Sequence, residues 1–119
     1  MQNYKDLKVW EKAHQFTLIV YGATKALPKD EIYSLTNQLR RAASSIPANI
    51  TEGCGENSQA EFAHYLNIVP GSGNESEYFL ILSKDLSYLK DEDFNSLSSV
   101  INEIKAMLIT LINKVRNKT

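Results

Sequence analysis

The chain has little of what cross-links or interrupts a fold. Its 119 residues include one cysteine, three prolines, five glycines and two histidines. A lone Cys54 can form no internal disulfide. The opening stretch, Met1 to Leu7, is polar and unlike a signal peptide, so the expected setting is the reducing cytoplasm. So few prolines and glycines leave long stretches free to be helical. No apolar run approaches the ~18 residues that a membrane span needs, so no membrane association is expected. There is also no excess of charge of one sign. The net charge of −1 offers no global attraction for nucleic acid. With 43% apolar and 23% charged residues the chain reads as globular, and its length suits one domain over residues 1–119. A chain of this size buries roughly two-thirds of its unfolded surface, enough for a core without staples.

What is present is four helix-length apolar stripes with three short joints. In the last, Phe94, Leu97, Ile101, Ile104, Leu108, Leu111 and Val115 recur three or four residues apart, which places them on one helical face. The spacing predicts helices over about 4–26, 31–52, 58–90 and 92–116, and with them an all-α four-helix domain. Pro28 stops the first helix and Asp30 is placed to cap the second. Its stripe is Ile32, Leu35, Leu39, Ala42 and Ala43, Ile46 and Ile50, with Pro47 inside it as an expected kink. Gly53 and Gly55 suit a left-handed cap. Ser58 and Glu61 have the spacing of a capping box. In the third helix Pro70-Gly-Ser-Gly73 allows two readings, one long kinked helix or two helices with a break. The apolar phase carries through by way of Phe62, Val69, Gly73, Ser76 and Leu80, so one helix kinked near residue 70 is expected. Asp91, Glu92 and Asp93 charge the start of the fourth.

The first helix has two apolar faces. Leu7, Trp10, His14, Leu18 and Tyr21 share one; Val9, Ala13, Phe16, Val20 and Leu27 form the second. So wide an arc exceeds what one small bundle needs. Either the helix is deeply buried or it serves both its own core and a neighbouring subunit. Val9, Ala13, Phe16 and Val20 are the candidate oligomer face.

Charge is unevenly spread. Residues 1–50 carry seven basic and four acidic groups, residues 51–103 two basic and ten acidic, and residues 104–119 four basic and no acidic. Helix termini account for much of this. The alternative is a basic patch where the two chain ends meet.

Candidate chemistry is thin. Glu11 with His14 and Glu61 with His64 form two Glu-x-x-His pairs, as di-iron bundles use, but no acid lies on the second stripe and Glu103 points away from the fourth. No metal or cofactor site is expected. Cys54 has no histidine near it in sequence. Gly71-Ser72-Gly73 lacks the strand-turn-helix context of a nucleophile elbow, and no Lys-Ser/Thr follows Gly53-Cys-Gly55 as in a phosphate loop. One pattern stands out: Gln38, Arg41, Ser45, Asn49 and Glu52 form a polar ladder beside the second stripe. A solvated face is more often Lys and Glu, whereas these types make specific hydrogen bonds. Two readings stand. One is an intrachain network with Glu75 or Glu77 partnering Arg40 or Arg41. The other is a subunit contact or ligand groove.

The runs Tyr4-Lys-Asp-Leu-Lys-Val-Trp-Glu-Lys-Ala13, Leu35-Thr-Asn-Gln-Leu-Arg-Arg-Ala42 and Ser45-Ile-Pro-Ala-Asn-Ile-Thr-Glu-Gly53, with Gly71-Ser72 and Glu77, cover nearly the whole chain in order. On them the chain resembles the four-helix-bundle proteins encoded in intervening sequences of bacterial 23S ribosomal RNA genes, sometimes labelled ribosomal proteins. It is also similar to the accessory bundle proteins of diversity-generating retroelements, which form basic pentameric barrels that bind nucleic acid. The resemblance implies an all-α, antiparallel up-down-up-down four-helix bundle that assembles as a homopentamer, without catalytic activity or cofactor. Pro70 and the slightly acidic balance depart from the pattern. The functional expectation is a non-catalytic oligomer associated with RNA or DNA. Arg40, Arg41, Lys114, Arg116 and Lys118 are the candidate nucleic-acid contacts, and a protein scaffold is the alternative.

Overall fold

The computed structural model describes residues 2–117. Five α-helical segments form the bundle: α1 (Lys8–Ala23), α2 (Leu35–Cys54), α3 (Gln59–Leu66), α4 (Val69–Asp85) and α5 (Asp91–Arg116). The first helix is shorter than its apolar stripe. Single 3₁₀ turns at Tyr4–Asp6 and Thr24–Ala26 extend it at both ends, and an extended Leu7 separates the first turn from α1. The second helix starts later than expected. Lys29–Glu31 is a 3₁₀ turn and Ser34, not Asp30, is the N-cap of α2. Ile32 therefore leaves the stripe and is exposed.

The third helix comes as two segments. Asn67 and Ile68 keep right-handed helical backbone angles between α3 and α4. Pro70 has no N–H to donate to Leu66 and its ring crowds that carbonyl, so the helical ladder is interrupted there while the chain runs on in the same direction. With α3 and α4 taken as one arm, each helix packs against two neighbours: α1 on α2 and α5, and α2 and α5 both on the α3–α4 arm. This is an up-down-up-down four-helix bundle, 45 Å along its principal axis and 24 × 20 Å across.

Pro47 lies inside α2 without ending it. It frees the carbonyl of Ala43, four residues back. The buried Thr17 hydroxyl of α1 points at that oxygen from 3.2 Å while also reaching Ala13 O at 2.9 Å. One hydroxyl proton shared between two carbonyls leaves the proline's orphan acceptor satisfied. Gly53 does not cap. It sits within α2, where a Cβ would lie 2.9 Å from Phe62 Cδ1 and 3.1 Å from Tyr65 Cβ, so its bareness lets α3 close onto α2. Gly55 is right-handed, with φ −83°. Among the described residues the left-handed position belongs to Ser87, φ 65°. There Ser87 N donates to Lys84 O and Tyr88 N to Ser83 O, the bond pattern of a Schellman motif closing α4.

The core runs the length of the bundle. Phe16, Val20, Leu39, Ile46, Ile50, Phe62, Leu66, Leu80, Ile101 and Ile104 are wholly or almost wholly buried. On α5 the buried stripe is Leu97, Ile101, Ile104, Leu108, Ile112 and Val115, with Phe94 and Leu111 only half-buried. A helix of 3.6 residues per turn drifts about 20° per heptad against a strict seven-residue repeat, so the inward position moves from 111 to 112.

Candidate functional site

The polar ladder on α2 divides along its length. In the middle, Asn49 Nδ2 donates to Ser45 O and Oγ at 2.8 and 2.9 Å, and Ser45 Oγ meets Ser72 Oγ of α4 at 2.9 Å. These two residues hold α2 to α4. At the far end, exposed Glu52 stands beside the α2–α3 joint. There a hydrogen bond with Glu61 leads the causes that push the Glu56 carboxyl above its usual range, followed by partial burial and the charges of Glu61 and Glu52. The charge of Glu56, first among several causes, pushes the Tyr65 phenol up in turn.

At the near end, Gln38 and Arg41 join Ala42, Ser45, Glu75 and Phe79 around a groove of about 330 Å³ between α2 and α4. The four α2 residues fall at i, i+3, i+4 and i+7 and the two α4 residues at i and i+4, so each helix offers one continuous face. The anticipated pairing with acids does not form. Glu77 takes Lys105 at 2.8 Å. Arg40 donates from Nε to Thr24 Oγ1 at 2.8 Å and lies over the Tyr21 ring at 4.8 Å. Among the described residues no ion pair within 4.0 Å joins Arg41 to Glu75, and neither side chain has a hydrogen-bond partner.

The proposed oligomer face is corrected. Val9, Ala13, Phe16 and Val20 are at most 4% exposed within a single chain, so they belong to its core. The faces of α1 have exchanged roles. Trp10 sits at the boundary, its Nε1 donating to Thr51 Oγ1 at 2.8 Å, with His14 stacked on it at 5.3 Å. Leu18 and Tyr21 point outward, 53% and 44% exposed. Small and branched side chains fit the close α1–α2 contact, whereas aromatics with polar tips suit a half-wet edge.

The candidate nucleic-acid contacts do not form one patch. Arg40 lies near the C-terminal end of α1, beside Tyr21 and Thr24. Lys114 shares a groove with Leu7 and Lys8 at the other end of that helix. The 16 residues of α1 separate them by about 24 Å at 1.5 Å per residue. Arg116 donates to Asn67 Oδ1 at 3.2 Å. Lys118 lies outside the described residues.

A second surface escaped the stripe reading. Between α1 and α5 two adjoining grooves of about 370 and 390 Å³ share Lys8 and Met107. Ile19, Val100, Leu7, Val9 and Leu111 make them largely apolar, and the Lys12–Glu103 ion pair, 2.7 Å long, lies alongside. Ile19 belongs to neither apolar face of α1. The available signal was on α5, where Val100 and Met107 lie seven residues apart beside the seam.

Nothing in the remaining candidates assembles. Ser58 Oγ accepts from Glu61 N at 3.1 Å and donates to Glu61 Oε1 at 3.2 Å, so that glutamate is engaged in the cap. Burial pushes the Cys54 thiol up, which keeps it protonated and a poor nucleophile. Among the described residues no group of three or more His, Cys, Asp or Glu is placed to hold a metal ion, and no helix is long and apolar enough to cross a membrane.

A crystal structure from Bacteroides thetaiotaomicron VPI-5482, described as a protein with unknown function from the S23 ribosomal protein family, matches with a TM-score of 0.80 and 31% identity. The match covers 87% of this chain and 97% of that one. No curated protein matches. The family described as 23S rRNA-intervening sequence protein matches residues 5–110. A bundle with these seams, matched over that span, belongs to the 23S rRNA-intervening sequence protein family.

Proposed function

We propose that the chain is a non-catalytic, self-associating bundle of the cytoplasm that binds RNA, with the near end of the α2 ladder as its contact surface. The observation that carries this reading is Arg41. It is a guanidinium without a partner, beside Gln38, Ser45 and Phe79 in a groove. Arginine, amide and aromatic groups together are the means by which proteins engage unpaired bases and phosphates. The family's description with 23S rRNA and the neighbour's with a ribosomal protein family support the same partner class.

Self-association is supported by two outward apolar faces. Leu18 and Tyr21 of α1 form one, and Tyr78 and Ile81 of α4, 56% and 40% exposed, form the other. α1 and α4 stand diagonally across the bundle, so the two faces are different and point apart. A closed ring, such as the pentamer the resemblance implies, joins unlike faces in this way.

Light scattering on the protein with and without a short structured ribosomal RNA fragment at low salt tests both parts. A five-subunit particle that gains RNA mass is expected, with affinity falling steeply as salt rises. A monomer would remove the ring. A particle that ignores RNA would shift the reading to a protein scaffold, which the apolar α1–α5 groove favours.

A further inference from the structure

We propose that the groove between α2 and α4 is a guanine pocket, taking one unpaired guanosine of an RNA strand; this rests on the RNA reading above. Its chemistry is selective. Glu75 and Arg41 line one groove yet stay unpaired, with Gln38 and Phe79 between the same two helices. An ionised carboxylate only accepts hydrogen bonds. Guanine alone among the four bases presents two adjacent donors, N1–H and N2–H, on its Watson–Crick edge. Adenine and cytosine place a ring-nitrogen acceptor beside their amino group, and uracil offers one N–H between two carbonyls. A carboxylate therefore gains two bonds from guanine and meets a repelling lone pair on every alternative. Phe79 supplies a ring for stacking, and Arg41 offers its fork to the phosphate, offsetting the charge of Glu75. The volume, about 330 Å³, suits one nucleotide, near the lower end of ligand pockets.

The test uses short unstructured RNA strands that differ at one central position, G, A or inosine, read by fluorescence anisotropy at low salt. Inosine keeps N1–H and lacks the N2 amine. The G strand is expected to bind about ten- to a hundredfold more tightly than the A strand, with inosine between them. Glu75→Gln, at an exposed position, should bring the G strand down to the A strand's level. Equal binding of all three strands by the wild-type protein overturns the guanine pocket and leaves RNA binding standing. If no strand binds, guanosine monophosphate is titrated by NMR. Shifts confined to Ser45, Phe79 and their neighbours, and absent in Glu75→Gln, would uphold the pocket while removing the RNA reading. No shift would remove both.

Discussion

α4 and α5 pack side by side, yet their inward stripes differ in kind. That of α5 is entirely branched aliphatic from Leu97 to Val115. That of α4 is Val69, Gly73, Ser76, Leu80 and Ser83. Ser76 and Ser83 are completely buried, but each hydroxyl donates to the carbonyl four residues back, at 2.8 Å to Ser72 O and 2.7 Å to Phe79 O. Burial then leaves no unsatisfied donor, and the small side chains bring backbones close. One helix holds the bundle by apolar area and the other by proximity. The second kind of contact leaves room beside it for polar side chains, and the α2–α4 groove lies there.

Substitutions along the two helices should separate these modes. The largest effect belongs to α5, where Leu108→Ala removes a fully buried side chain and should cost about 2–5 kcal/mol in denaturant unfolding. Next, in α4, Ser76→Leu should cost about 1–3 kcal/mol by overpacking, while Ser76→Ala should cost less than about 1 kcal/mol because donor and acceptor lie on one helix. A Ser76→Leu variant as stable as wild type would show that α4 is not held by close approach. Gly73→Ala runs the other way. Its Cβ would meet Lys105 Cγ at 3.7 Å, ordinary contact, so helix propensity should raise the free energy of unfolding by about 0.5–1 kcal/mol in denaturant titration.

The smallest effect lies where α4 ends. Hydrogen bonds, first from Ser34 and then from Tyr88, hold the Glu31 carboxyl below its usual range. A depressed carboxyl contributes stability above its ordinary pKa, and that contribution is lost as pH falls through the folded value. Tyr88→Phe should therefore soften the loss of stability on acidification, measured as unfolding midpoint against pH. An unchanged acid limb would assign the effect to Ser34 alone.

The sequence was most legible where side chains were aliphatic. The stripe on α5 could be read directly, except that a strict three-and-four spacing chose Leu111 where helical drift brings Ile112 inward. On α1 periodicity found two apolar faces, and the one read as the oligomer face is the core face, because ranking them needs the partner surface. Ala13 and Thr17 match the close approach of α2 near Pro47, and only the folded α2 shows that. On α2 the unusual residue types marked Gln38, Arg41 and Ser45 as a surface of interest. Their opposite wall, Glu75 and Phe79, depends on how α4 is turned after the interruption at Pro70, and no local pattern encodes that rotation. Arg40 and Arg41 illustrate the limit: adjacent in sequence, one is committed to Tyr21 and Thr24 and the other is free.

The shared proton of Thr17 also sets a register. Apolar helices can slide past each other by a turn, about 5.4 Å, and still bury similar area. Between α1 and α2, Trp10 reaches Thr51, Thr17 reaches Ala43 and Arg40 reaches Thr24, three polar links spread along the whole antiparallel contact. A one-turn slip would break all three together and strand the carbonyl that Pro47 leaves open. The proline thus turns a smooth seam into an indexed one, fixing which turn of α1 faces which turn of α2.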